Sequence, residues 1–586
     1  MLVWVCGCTA SELHAPGPDV SDAGDDAHAV EDIRPDLGDD AGPADASDMG
    51  RDADARDGTV DAADAQEADP ADAESDPDAD SPDATDAAPD LPPDGPGFAL
   101  TRQGPIEGSV LDGGVARFLG VPFAQPPVGE LRWKSPRAPV VRDAVLQTQA
   151  FGPACAQADD SWVVGQGLER SEDCLTLNVW APVAAREPVP VMVWVHGGGF
   201  LLGAGSEPQF DGAALAARGA VVVTFNYRLG VAGFLVHEAL LDPEDVGQPS
   251  LGNYGLLDML AALAWVRDNA EAFGGDPGRV TLLGESAGGI SVCALMTSPL
   301  ATGLFHRAVM QSGFCTMEAA RLHEGTDLLP PAAQTGARLA VLAGCEGPDV
   351  AACLRGRPMA ALIEAAGQLG REQISLGIAV DEHVLSDTPS ALMQAGRGAR
   401  LPWIVGTVAD EGTVFLSETR IEDEAAYHRF LDDTFTATLR PFILVLYPSR
   451  DFETPWHAAA AVIGDALFTC PTREAMRAHT ARGNPGWLYY FGHVTESGRR
   501  RGLGAYHASE VPFLFGTHVR NDDGDDVSEL MSSLWWTFAR DGRPEAEALI
   551  WPAYTARADP VLEIDVDPEV VEQWRDDRCR FWAGGD

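Results

Sequence analysis

The sequence predicts an α/β architecture, a mostly parallel central sheet flanked by helices, on three observations. Residues 191–195 (VMVWV) and 221–225 (VVVTF) are continuous apolar runs, the pattern of strands buried on both faces. Between Asn253 and Phe273, the apolar residues Leu256, Leu257, Leu260, Leu263, Ala264 and Val266 recur at helical spacing until Gly274-Gly275-Asp276-Pro277 interrupts them. Residues 280–283 then form another short apolar run. Strand, helix and strand in that order imply parallel pairing through right-handed crossovers. Neither an internal repeat nor a coiled-coil heptad pattern interrupts the alternation.

Charge and composition divide the chain. Of its 586 residues, those from 11 to 100 hold 28 acidic side chains against only Arg34, Arg51 and Arg56, with almost no aromatics. Such a stretch buries too little apolar surface to offset its conformational entropy, so it is expected to be a disordered, solvated spacer. All but one of the 14 tryptophans lie beyond it. The expected organisation is a short leader over residues 1–8, an acidic Asp/Ala/Pro-rich linker over 9–97, and one large, acidic, globular domain over 98–586. A net charge of −50 excludes nucleic acid as a partner, because phosphates must be neutralised by Lys and Arg.

The first eight residues, MLVWVCGC, are apolar and end in Cys8. They resemble the end of a bacterial lipoprotein signal whose start lies upstream, with Cys8 as the lipidated residue and the acidic linker as a tether. No other apolar run approaches the roughly 20 residues that span a bilayer. Of the remaining cysteines, Cys155 and Cys174 enclose an 18-residue polar loop, Cys345 and Cys353 enclose seven residues, and Cys470 and Cys579 lie far apart. Cys293 and Cys315 sit in apolar runs and are expected to be buried thiols. Cysteines and leader together point to an oxidising, extracytoplasmic compartment, the chain being secreted or lipid-anchored to a bacterial cell envelope.

The chemistry is carried by a turn. The run at 280–283 leads into Gly284-Glu285-Ser286-Ala287-Gly288, followed by the small-residue, apolar stretch 289–296. This is a G-x-S-x-G elbow in its confirming setting, strand before and helix after. The turn forces the serine into a strained conformation with its hydroxyl exposed, and the glycines leave room for neighbouring elements. Directly after VMVWV comes His196-Gly197-Gly198-Gly199-Phe200. Acyl transfer develops negative charge on a carbonyl oxygen, and side-chain-free backbone can approach it closely. The N–H groups of Gly198, Gly199 and Ala287 are therefore the candidate oxyanion donors.

A serine hydroxyl needs a base, and the base needs an acid to hold its tautomer; in this arrangement the chain order is Ser, then Asp or Glu, then His. His507, on the glycine-flanked loop Leu503-Gly504-Ala505-Tyr506-His507, is the candidate base. The acid follows the buried run Pro402-Trp403-Ile404-Val405-Gly406, where strand ends carry functional groups. Spacing leaves Asp410 and Glu411 both open.

From about Ile106 to Trp582 the chain resembles the type B carboxylesterases, the family that includes the cholinesterases. The resemblance rests on Phe118-Leu119-Gly120-Val121-Pro122-Phe123-Ala124-Gln125-Pro126-Pro127, on Ser171-Glu172-Asp173-Cys174-Leu175-Thr176-Leu177-Asn178-Val179-Trp180, on Gly252-Asn253-Tyr254-Gly255-Leu256-Leu257-Asp258 and on Gln311-Ser312-Gly313. It implies an α/β-hydrolase fold with large insertions, a nucleophile at Ser286, an acid at Glu411 and a base at His507. It also implies disulfides joining Cys155 to Cys174, Cys345 to Cys353 and Cys470 to Cys579. The expected reaction is hydrolysis of a small-molecule carboxylic ester through an acyl-enzyme, with no metal and no cofactor. Two features depart: Trp162 does not fall where the cation-binding tryptophan of the cholinesterases does, and residues 379–383 read AVDEH where relatives often carry Pro-Val-x-Asp-Gly. Glu285 suits either attraction of a cationic leaving group or a buried polar network. The competing expectations are a catalytically dead binding module of the same fold, and an amidase, lactonase or carbamate hydrolase using the same triad.

Overall fold

The computed structural model describes residues 95–158, 168–241, 251–316, 319–325, 329–547 and 549–584. The leader, Cys8, almost all of the acidic linker and Trp162 lie outside them. Eleven strands form the central sheet: β1 (Ser109–Leu111), β2 (Val115–Pro122), β3 (Thr176–Pro182), β4 (Val189–Val195), β5 (Val221–Phe225), β6 (Gly275–Glu285), β7 (Arg307–Gln311), β8 (Trp403–Val408), β9 (Gly486–Phe491), β10 (Pro560–Ile564) and β11 (Glu569–Glu572). Their order across the sheet is β11-β10-β9-β8-β7-β6-β4-β5-β3-β2-β1. All pairs from β5 through β10 are parallel, while β11 and β1–β3 pair antiparallel at the two edges. This is the α/β-hydrolase arrangement.

The strand VMVWV shows why its apolar run is unbroken. Val191, Val193 and Val195 enter one buried cluster, and Met192 and Trp194 enter another on the opposite face. Both faces of the sheet are thus covered, and no position on the strand is left for a polar residue. Helix α1 (Tyr254–Asn269) carries the 253–273 pattern, continues as a 3-10 turn over Ala270–Phe273, and stops at Gly274, whose φ of 75° suits glycine. The helical run stops here as expected, but the strand expected at 280–283 starts earlier. β6 already begins at Gly275, paired with Val189, and shifts register before Val280, so an irregular strand start absorbs the proline.

Arg228 and Asp258 form an ion pair that is buried on both sides, with Nη2 2.7 Å and Nε 2.8 Å from the carboxylate. The Arg228 N–H donates to the same carboxylate at 3.0 Å, so the chain leaving β5 is tied to α1.

Four disulfides are present among the described residues. Cys155–Cys174, Cys345–Cys353 and Cys470–Cys579 pair as the family resemblance implied. Cys293 and Cys315, expected as free buried thiols, are instead joined. An apolar context favours a thiol and a disulfide alike, so only proximity could decide. Proximity comes from glycine: Gly313 packs so close to helix α2 (Ala287–Thr297) that a Cβ on it would lie 2.7 Å from the Gly289 carbonyl carbon. The Cα atoms of Cys293 and Cys315 are thereby brought to 5.7 Å, within disulfide range. Closing a loop of this length restricts the unfolded chain by about 3 kcal/mol. The double variant Cys293→Ala/Cys315→Ala is expected to lose about that much unfolding free energy in urea titrations under non-reducing conditions. A loss below about 1 kcal/mol would show that the bridge adds little to the packing already there.

Four disulfides are the pattern of an extracytoplasmic protein. No helix among the described residues is long and apolar enough to cross a membrane.

Candidate active site

β6 ends at Glu285, α2 begins at Ala287, and Ser286 stands between them with φ 55° and ψ −123°. Backbone crowding explains the glycines around it. A Cβ on Gly288 would lie 2.1 Å from the Val195 carbonyl oxygen at the end of β4, and one on Gly284 would lie 2.5 Å from the Gly288 backbone. The Ser286 N–H donates to the Gln311 carbonyl at 3.0 Å, carrying the β6–β7 pairing into the turn. That hydrogen bond and the close glycine contacts hold a conformation unfavourable for any side chain other than glycine's.

The glycine-rich segment after β4 curls back on itself. Gly198 (φ 99°) and Gly199 (φ 62°) are left-handed, and the Gly198 carbonyl accepts from the N–H groups of Leu201 and Leu202, both at 3.0 Å. Among the described residues the N–H groups of Gly198, Gly199 and Ala287 have no protein acceptor. A Cβ on Gly197 would come within 3.1 Å of the Ser286 Cβ, so this segment lies directly against the serine.

His507 Nδ1 is 2.6 Å from Glu411 Oε2, and the buried Glu411 Oε1 accepts the Val408 N–H at 3.0 Å. Two anchors fix the carboxylate, which fixes the imidazole. Asp410, the rival left open by spacing, is spent on the backbone. Its Oδ2 accepts the Ala505 N–H at 2.9 Å and its own N–H donates to the Ala505 carbonyl, clamping the loop that carries His507. Phe415 and Phe468 flank the imidazole at ring distances of 4.9 and 4.8 Å, and Phe314 packs edge-on against Phe468. His507 Nε2 has no hydrogen-bond partner among the described residues, Ser286 Oγ included, and lies 3.1 Å from Glu285 Oε1. Hydrogen bonds of this kind are often unformed before substrate binds.

Sequence reasoning missed most of a buried carboxyl cluster. Glu510, three residues after His507 and fully buried, accepts from Gln311 Nε2 at 3.1 Å; Gln311 Oε1 in turn accepts from Trp535 Nε1. Glu207 accepts the Ala204 N–H at 3.0 Å. Nothing in the local sequence marks these glutamates as buried, since tertiary packing alone encloses them. Burial pushes the Glu285 carboxyl up to about 8; His507 opposes this, and Glu510, Glu411 and Glu207 add to it. Burial likewise pushes Glu510 up to about 7, reinforced by Glu411. For His507, burial acts downward, but the carboxylates of Glu285 and Glu411 outweigh it and hold the imidazole up at about 9.

An imidazole held up at about 9 is protonated at neutral pH and can accept a proton only as the pH rises. Glu285→Gln removes a carboxylate that favours the imidazolium, and the imidazole of the variant is expected to titrate about 1 pH unit lower than the parent's. An NMR titration of His507 from pH 5 to 10 checks this; an unmoved or raised midpoint would contradict the coupling.

Comparison with known proteins follows the same outline. Residues 97–582 match the family described as "Carboxylesterase family". The para-nitrobenzyl esterase of Bacillus subtilis (strain 168) is 37% identical over 504 residues, covering 80% of this chain and 96% of that protein. The fumonisin B1 esterase of Sphingopyxis macrogoltabida is 34% identical, over 78% of this chain and 85% of its own, and carboxylesterase 5A of Felis catus is 33% identical, over 83% and 92%. A solved PNB esterase structure superposes with a TM-score of 0.71 at 34% identity, covering 83% of this chain and all of that one.

Proposed function

The chain belongs to the carboxylesterase family and is a carboxylic ester hydrolase, and from that premise we propose that it works through an acyl-enzyme on Ser286, with His507 as base and Glu411 as its orienting acid. The observation that carries the reading is the 2.6 Å Glu411–His507 contact on the loop facing a serine elbow. Ser286 Oγ attacks the ester carbonyl carbon while its proton passes to His507 Nε2. The N–H groups of Gly198, Gly199 and Ala287 receive the negative charge that forms on the carbonyl oxygen. Collapse expels the alcohol, which leaves with the proton from His507. Water, deprotonated by the same imidazole, then attacks the acyl-enzyme and releases the carboxylate. The rings of Phe415 and Phe468 beside His507, with Phe314 packed on Phe468, suit a small ester with an apolar acyl or alcohol group.

The remaining assignments support that chemistry. Residues 98–586 form the catalytic domain, consistent with a family match that begins at residue 97. Residues 9–97 serve as an acidic spacer, and Cys8 is the site of a lipid anchor.

The test is covalent. A fluorophosphonate incubated with the protein is expected to add one equivalent per chain, on the peptide carrying Ser286, with activity on p-nitrophenyl butyrate lost in proportion. Labelling on another residue, or full labelling with activity retained, would overturn the assignment. Turnover of p-nitrophenyl esters from acetate to decanoate then defines the acyl pocket.

A further inference from the structure

The glycine segment assigned to the oxyanion is gripped from outside by a side chain that takes no part in the chemistry above. Gln157 lies two residues beyond Cys155, in the loop closed by the Cys155–Cys174 disulfide. Its Oε1 accepts the Gly203 N–H at 2.9 Å, and its Nε2 donates to the Gly203 carbonyl at 2.9 Å and to the Cys155 carbonyl at 3.0 Å. One amide thus takes both backbone groups of a single glycine, and the third bond keeps it from rotating.

Gly203 is a position with no slack. Its φ is 112°, and a Cβ there would lie 2.4 Å from His196 Nδ1. His196 is itself held, its ring stacked on Tyr227 at 4.3 Å and its carbonyl accepting from the Tyr227 hydroxyl at 2.9 Å. Gly203 is bonded to Leu202, whose N–H donates to the Gly198 carbonyl, and a Cβ on Gly198 would meet the Leu202 oxygen at 2.2 Å. Any shift of Gly203 therefore reaches Gly198 through one peptide. The same disulfide loop also holds Gly205 through Asn226: its Nδ2 donates to the Cys174 carbonyl at 3.1 Å and its Oδ1 accepts the Gly205 N–H at 2.9 Å.

From this wiring we propose that Gln157 is a positioning residue for the oxyanion hole, using its own attachment beside the Cys155–Cys174 disulfide to set the Gly198 and Gly199 N–H groups. The inference rests on the oxyanion reading given above. Donors of this kind act because they are already in place when charge develops, and displacement of about 1 Å costs about 100-fold in rate. Substrate in its ground state gains little from them, so the effect falls on kcat.

The experiment uses the full chain and the variants Gln157→Ala and Gln157→Met, the second keeping length and apolar contact while losing all three hydrogen bonds. Two readouts are taken: steady-state hydrolysis of p-nitrophenyl butyrate, and inhibition by an aryl trifluoromethyl ketone beside its carbinol. The ketone adds to the serine and places an oxyanion in the hole; the carbinol does not. Both variants are expected to lose about 10- to 100-fold in kcat with KM changed less than about threefold. Trifluoroketone inhibition should weaken by the same factor, and carbinol inhibition should not move. Variants that bind the trifluoroketone as tightly as the parent would overturn the positioning role while leaving the oxyanion reading intact. A parent protein that the trifluoroketone does not inhibit would overturn both.

Discussion

Ser286→Ala is expected to lower kcat on p-nitrophenyl butyrate by about 10⁶-fold, a rise of about 8 kcal/mol in the barrier. Without the hydroxyl no acyl-enzyme forms, and His507 can only assist water attacking a bound ester. The donors at Gly198, Gly199 and Ala287 remain, so the residual rate should still exceed the uncatalysed one by about 10³-fold. The fold should not suffer. Serine and alanine both place a Cβ at the φ of 55°, and the Ser286 N–H keeps its bond to Gln311. Matching thermal midpoints for parent and variant, measured with the kinetics, exclude unfolding as the cause. Retention of more than about 1% of the parental kcat would mean that another group is the nucleophile.

Glu411→Gln should be the second largest loss, about 10⁴-fold in kcat, through a reversal of one hydrogen bond. Glutamine can still accept the Val408 N–H, so its side chain stays where Glu411 stands. Its amide then donates to His507 Nδ1, which forces the ring proton onto Nε2, where it can no longer accept the serine proton. Asp410→Asn supplies the contrast, because an asparagine oxygen can still accept the Ala505 N–H and the loop clamp survives. We expect its kcat to stay within about threefold of the parent. If instead the Asp410 variant shows the larger loss in parallel kcat measurements, the two residues have been assigned the wrong way round.

These residues also show how far the sequence could be read. The strand runs VMVWV and VVVTF, the helix after Asn253 and the elbow at Ser286 declare themselves because hydrophobic period and glycine placement are local properties. The sheet order is not local. Strands β4 and β6 are neighbours although β5 lies between them in the chain, a consequence of crossovers that pass over both faces. The choice between Asp410 and Glu411 was open to spacing, and only the family resemblance favoured Glu411. In the structure, one of two adjacent carboxylates points at an imidazole 96 residues away while the other turns to the backbone.

The sequence by itself therefore determined the fold class and the serine elbow, and marked the glycine run after β4 and the Ser, acid, His order as candidates, because hydrophobic period and glycine placement are patterns of near neighbours in the chain. Tertiary structure decided that Glu411 rather than Asp410 meets His507, that Cys293 and Cys315 join, that Glu207, Glu285 and Glu510 are enclosed together, and that Gln157 holds Gly203. Each of those four outcomes sets the distance between segments far apart in the chain, and that distance follows from how the sheet and helices pack rather than from any pattern along the sequence.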